Sequence, residues 1–73
     1  MGVQIFEIDF IMHRTEREKL ETNLAPGISV HYYLQGNHET VSGFLKAKSW
    51  AKLANAIHLL GYLKMNIVFT ERN

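Results

Sequence analysis

A chain of 73 residues has room for one domain with a small core, since chains of this length bury only about 60 % of the surface that they expose when unfolded. Apolar residues make up 47 % of the sequence, which excludes an intrinsically disordered or a fibrous protein. The formal net charge is +1. Cysteine is absent, which excludes a disulfide framework and a thiolate metal cage.

Residues 3–13 predict the first strand, because apolar side chains recur there at every second position. The face that we expect in the core consists of Phe6, Ile8, Phe10 and Met12. Thr15 followed three residues later by Glu18 is a capping-box pattern, which predicts a short helix over residues 15–24. The sequence Ala25-Pro26-Gly27 ends this helix, because proline cannot continue its hydrogen bonds and glycine accepts a positive φ.

A hairpin is predicted next, with strands over residues 28–35 and 39–47 on either side of a Gly36-Asn37 turn. The inward side chains of this hairpin are expected to be Ile28, Val30, Tyr32, Leu34, Val41 and Leu45, and the outward ones Ser29, His31, Tyr33, Gln35, Ser42, Phe44 and Lys46. Gly43 in the middle of the second strand weakens it, or marks a bulge or a close approach.

The last two elements are a helix with an N-cap at Ser49 and a strand over residues 63–70. The helix is predicted from apolar side chains at helical spacing, namely Trp50, Leu53, Ala54, Ile57 and Leu60. Gly61 stands where a glycine would end the helix.

The resulting order, βαββαβ, predicts one small α+β domain with the ferredoxin-like sandwich topology. We expect a four-stranded antiparallel sheet in the order 4-1-3-2, with both helices on one face and the other face open. The side chains that we expect to be mostly buried are Phe6, Ile8, Phe10, Val30, Tyr32, Leu53, Ile57, Ile67 and Phe69.

Catalytic and metal chemistry have only weak candidates. Glu7 and Asp9 would share one sheet face, as the paired acid and base of a hydrolase do, but alternating charges are also typical of a solvated strand. Metal-ligand spacings such as HxH, HxxxH and HExxH are absent around the four histidines, His13, His31, His38 and His58. We therefore expect a non-enzymatic protein without metal or cofactor.

Nucleic-acid binding is the first functional hypothesis with positive support. Residues 1–39 carry three basic and six acidic side chains, a net charge of −3, whereas residues 40–73 carry five basic and one acidic, a net charge of +4. The basic half contains Lys46, Lys48, Lys52 and Lys64. A βαββαβ sheet is also the architecture of RNA-recognition modules, but Glu7 and Asp9 would occupy its centre and repel phosphate.

Protein binding is the hypothesis that we prefer. The first helix has only Leu20 and Leu24 as apolar anchors, which predicts a helix that is loosely held or completes its packing against a partner. The open sheet face would mix apolar and polar side chains, as interfaces do. The residues expected to contact a partner are Arg17, Lys19, Tyr33, Phe44, Lys46, Lys48 and Lys52.

A module of this size fits a small regulator or inhibitor of a larger protein or complex, of the phage, mobile-element or bacterial accessory type. Self-association into a homodimer is a further expectation, because oligomerisation stabilises domains with small cores. We expect a cytoplasmic protein, since cysteine, a signal peptide and an apolar run of the ~18 to 20 residues that a membrane span needs are absent from the sequence.

Overall fold

The computed structural model describes residues 2–34 and 39–71. Its strands are β1 (Phe6–His13), β2 (Ser29–Leu34), β3 (Thr40–Ala47) and β4 (Ile67–Glu71), and its α-helices are α1 (Arg17–Thr22) and α2 (Trp50–Tyr62). A single 3₁₀ turn, Arg14–Glu16, precedes α1. The predicted α+β class and order of elements are confirmed, whereas the predicted Gly36-Asn37 turn lies outside the described residues.

The four strands form one antiparallel sheet in the order β2-β3-β1-β4, which is the expected order read from its other edge. The long central strands β1 and β3 pair over their full lengths, from Phe6 opposite Ala47 to His13 opposite Thr40. The strand β4 pairs with β1 from Ile8 opposite Glu71 to Met12 opposite Ile67. The short strands β2 and β4 therefore form the two edges.

The core lies between the sheet and the two helices. Its buried side chains come from β1, β3 and both helices, and include Ile8, Phe10, Met12, Leu20, Val41, Leu45, Leu53 and Leu60. Of the nine side chains expected to be mostly buried, Ile8, Phe10 and Leu53 are buried. The other six are only half-buried and pack around the core, namely Phe6, Val30, Tyr32, Ile57, Ile67 and Phe69. Four of these six lie on the edge strands β2 and β4, which have a neighbouring strand on one side only in the described part of the chain.

The first helix is shorter than predicted, and its predicted capping box is wrong. His13, and not Thr15, caps the 3₁₀ turn, because its Nδ1 atom accepts a hydrogen bond from the Thr15 amide at 3.3 Å. Of the two predicted anchors of this helix, Leu20 is fully buried in the core and Leu24 is half-buried against it. Tertiary packing, rather than capping, therefore holds a helix this short.

The second helix begins at the predicted N-cap but ends later than predicted. Ser49 has the extended backbone of an N-cap, but its side chain makes no capping hydrogen bond. The helix continues through Gly61 to Tyr62, and the positive φ that follows it, 57°, belongs to Lys64. The buried face of α2 consists of Leu53, Ala56 and Leu60, and leaves Ala54 exposed.

The central hairpin is closely packed at Gly43, as the sequence suggested. Gly43 lies opposite Tyr32, and a Cβ atom on it would collide with the carbonyl oxygen of His31. The pairing then shifts by one residue, so that Leu34 lies opposite Ser42 and Tyr33 forms a bulge. This bulge sets the position of Tyr33 on the sheet surface.

Candidate interaction surface

Both described helices pack on one face of the sheet, and the opposite face, which we call the open face, is not covered by either of them. The centre of the open face comes from β1 and β3, and its sides come from β2 and β4. The side chains on it include Glu7, Asp9, Ile11, His31, Tyr33, Ser42, Phe44, Lys46, Val68 and Thr70.

Three aromatic rings form a row across the open face, which we call the aromatic row. His31 lies directly opposite Phe44, and their rings stack with centroids 5.0 Å apart and planes at 16°. The Tyr33 ring also stacks on Phe44, with centroids 6.1 Å apart and planes at 28°. The register of β2 with β3 and the bulge at Tyr33 together bring these rings into contact.

The aromatic row is linked to β1 by a hydrogen bond. The Tyr33 hydroxyl donates to the Asp9 Oδ2 atom at 3.2 Å, although Tyr33 remains 53 % exposed. Glu7, the second carboxylate of β1, lies directly opposite Lys46 in the sheet register. Asp9 therefore has a hydrogen-bond partner on the sheet surface, and Glu7 has a basic residue opposite it.

An apolar area continues the open face toward β4. Ile11 and Val68 lie directly opposite each other, and Val68 is 60 % exposed. A groove of about 190 Å³ begins beside this pair and reaches His13 and Thr40 at the end of the sheet. The open face thus offers exposed aromatic and aliphatic side chains, with polar groups between them.

The structure does not gather the four lysines into one basic cluster. Lys46 is on the open face, whereas Lys52 is on α2, where its Nζ atom donates to the Pro26 carbonyl at 3.4 Å. Lys48 is exposed in the connection between β3 and α2, and Lys64 follows the other end of α2. Lys52 and Lys64 are separated by about 15 Å or more along the helix, because each helical residue advances 1.5 Å.

Arg17 and Lys19 contact the rest of the domain. The Arg17 guanidinium lies 4.2 Å from the Tyr32 ring centroid, and its Nε atom bonds Glu21 at 3.1 Å. Lys19 donates from Nζ to the Leu63 carbonyl at 3.1 Å. The i,i+4 spacing of Arg17 and Glu21 in the sequence indicates that these two side chains pair. No sequence pattern indicates that Tyr32 contacts them.

Tyr32, Glu21 and Arg17 form a small polar network at the edge of the helical layer. The Tyr32 hydroxyl donates a hydrogen bond to Glu21. This bond and the hydrogen bond from Arg17 lower the pKa of the Glu21 carboxyl. Partial burial of Tyr32 and the adjacent Glu21 carboxylate raise the pKa of the Tyr32 hydroxyl well above its usual range.

Replacement of Tyr32 by phenylalanine should raise the pKa of Glu21, because the largest contribution to its lowered value is lost. In the wild type the lowered pKa of Glu21 stabilises the fold at pH values above those at which glutamate ordinarily titrates. This stabilisation is lost as the pH falls through the pKa of Glu21 in the folded state. An NMR titration of the Glu21 carboxyl measures the change. Tyr33→Phe is the matched control and should leave Glu21 unaltered. An unchanged Glu21 pKa in Tyr32→Phe would contradict the network.

Three further findings bear on function. Among residues 2–34 and 39–71, the structure contains no cluster of three or more histidine, aspartate and glutamate side chains able to hold a metal ion. In the same part of the chain, no helix has the length and apolar character required to cross a membrane. Comparisons with known protein families, curated proteins and solved structures find no match to this chain.

Proposed function

We propose that this chain is a non-catalytic interaction module that binds another protein through the open face of its sheet. The observation that carries the proposal is the aromatic row beside the exposed Ile11 and Val68 pair. Aromatic side chains are enriched in the buried centres of protein interfaces, and polar groups surround them there. The open face combines the same kinds of side chain, since polar residues such as Ser42, Lys46 and Thr70 lie among its aromatic and aliphatic ones.

A protein partner fits this surface better than a nucleic acid does. Bases stack on exposed ring faces, whereas Phe44 already stacks with both His31 and Tyr33. Glu7 and Asp9 also place negative charge in the centre of the sheet, where it would repel phosphate. The lysines that favoured the RNA or DNA hypothesis lie in different layers of the domain.

We also propose a narrower identity for the module. The βαββαβ order and the central pairing of β1 with β3 support a ferredoxin-like topology. A binding face of this kind would serve a regulator or inhibitor of a larger protein, of the phage, mobile-element or bacterial accessory type. The absence of cysteine from the sequence supports action in the cytoplasm.

Affinity capture from the native host tests the function with a matched pair of variants, Tyr33→Ser on the open face and Tyr62→Ser on the outer surface of α2. Both side chains are exposed, Tyr62 to 78 % and Tyr33 to 53 %, so both substitutions should preserve the fold. A protein retained by the wild type and by Tyr62→Ser should be lost with Tyr33→Ser, because truncating an interface aromatic costs about tenfold or more in affinity.

Two results would contradict this proposal. The first is equal retention of the partner by Tyr33→Ser and Tyr62→Ser. The second is binding of short RNA or DNA oligonucleotides at physiological salt that weakens steeply as salt rises, since release of counterions from phosphate produces that dependence. In the second case, Lys46→Glu with Lys48→Glu should abolish oligonucleotide binding and would assign the nucleic-acid function instead.

A further inference from the structure

The outer edge of β4 has no neighbouring strand among residues 2–34 and 39–71, where β4 pairs with β1 alone. The His13 amide donates to the Asn66 carbonyl at 3.2 Å, and in an antiparallel pair hydrogen-bonded residues then alternate along the strand. Val68 and Thr70 consequently direct their peptide groups toward β1. Ile67, Phe69 and Glu71 direct theirs outward.

The helix α2 has a second apolar stripe beside the buried one. Trp50, Ala54, Ile57 and Gly61 recur at intervals of four, three and four residues, which is the spacing of a helix-packing seam. Trp50, Ala54 and Gly61 are exposed, and Ile57 is half-buried. The predicted single stripe of α2 is therefore divided between the core and an uncovered flank.

This second stripe lies on the β4 side of the domain. The opposite flank of α2 faces the connection between α1 and β2, where Asn55 and Leu59 line a groove with Ile28. The helix α1 lies over β2, as the Tyr32 and Glu21 contact shows. The exposed stripe therefore faces away from α1, toward β4. We call the outer edge of β4 together with this stripe the β4 flank.

We propose that a second copy of this chain covers the β4 flank, with the two β4 strands paired antiparallel about a two-fold axis at Phe69. Phe69 of one copy then lies opposite Phe69 of the other, and each Ile67 lies opposite Glu71. This register uses all three outward-facing residues of each strand. It joins the two sheets into one of eight strands and brings the two α2 stripes together, where Ala54 and Gly61 allow close approach.

Charge and symmetry identify the occupant as a second copy. An open strand edge is satisfied by another strand, and an antiparallel strand pairs with itself about a two-fold axis. The β4 flank carries one formal charge among its described residues, Glu71, and the register places it opposite Ile67 rather than opposite a second Glu71. The β2 edge is less suited to this pairing, because the bulge at Tyr33 interrupts it.

Pairing through the β4 flank leaves the open face accessible. The side chains of Val68 and Thr70 point to the open face, whereas Ile67 and Phe69 point to the helical layer. Dimerisation and binding of a protein partner therefore use different side chains. Either one can fail in experiment without the failure of the other.

Sedimentation of the full chain over a range of concentrations tests the dimer, with Ala54→Glu combined with Gly61→Glu as the disrupting variant. Both positions are exposed, and a Cβ atom on Gly61 meets no atom within 4 Å, so the fold should be preserved. The wild type should dimerise, and the variant should weaken dimerisation at least tenfold. Ala51→Glu is the matched control, because Ala51 is exposed on the outer side of the same helix.

Amide hydrogen exchange tests the strand pairing independently of these variants. In the dimer the amides of Ile67 and Phe69 should become protected, and this protection should decrease on dilution, whereas Val68 should be protected at every concentration. A wild type that is still monomeric at about 1 mM would overturn the proposal. A dimer that persists in Ala54→Glu with Gly61→Glu, but dissociates in Tyr33→Ser, would overturn it as well.

Discussion

Replacement of Gly43 by alanine is expected to unfold the domain or to destabilise it by about 3 kcal/mol or more, an effect typical of steric overlap inside a close-packed structure. The added Cβ atom would overlap the carbonyl oxygen of His31, which is backbone and cannot rotate away. The clash lies where β2 and β3 pair, next to the bulge at Tyr33. Relief would require β2 to separate from β3, with loss of the packing of Val30 and Tyr32 against the core.

Urea denaturation followed by far-UV circular dichroism measures this loss, and Gly61→Ala is the matched control. A Cβ atom on Gly61 meets no atom within 4 Å, and the position is inside a helix. Alanine there should stabilise the domain by about 0.5 to 1 kcal/mol, because it restricts the unfolded chain and favours helix. Equal stabilities of the two variants would show that β2 does not approach Gly43 closely in solution.

The strands of the sheet were predictable because alternation of apolar side chains depends only on local geometry. In β1 the predicted inward face, Phe6, Ile8, Phe10 and Met12, is the face that contacts the core. Gly43 was predictable for a similar reason, since a glycine inside a strand pattern indicates a bulge or a close approach. The structure has both features at this point, with the bulge on the neighbouring strand.

The helices were less predictable, because tertiary contacts decide which part of a broad apolar arc is buried. In α2 the apolar side chains span a wide arc around the helix, with Ala56 at one side and Ala54 at the other. The sheet covers only part of this arc, so Ala54 stays exposed. In α1 two apolar anchors suggested weak packing, yet Leu20 reaches the centre of the core. The Thr15 and Glu18 pattern does not mark the start of α1, which begins at Arg17.

The candidate site was predictable only in part. Alternation placed Tyr33 and Phe44 on the outward face, but their stacking depends on the register between two strands, which periodicity does not define. The lysines of the second half suggested a cluster because they are close in sequence. A strand and a helix separate them in space, since Lys46 belongs to the sheet and Lys52 to the helical layer.

Replacement of Leu20 by alanine should destabilise the domain by about 3 to 5 kcal/mol, which is the range for a fully buried leucine that leaves a cavity. Leu20 is the one buried side chain of α1, and its relative exposure is 0 %. The contacts of Arg17, Lys19 and Glu21 with the rest of the domain are exposed, and exposed polar contacts contribute too little to compensate. The midpoint of thermal unfolding should fall by more than about 12 °C, at about 4 to 8 °C per kcal/mol for a domain of this size.

Leu59→Ala provides the comparison, because the same atoms are removed from a side chain that is 40 % exposed. Its midpoint should fall much less than that of Leu20→Ala, since Leu59 is already partly exposed and its truncation leaves no closed cavity. Amide exchange in Leu20→Ala should also increase first in α1, because Leu20 is the contact that fixes this short helix to the sheet. Equal unfolding midpoints for Leu20→Ala and Leu59→Ala would mean that α1 is not docked through Leu20, and the arrangement of the helical layer would have to be revised.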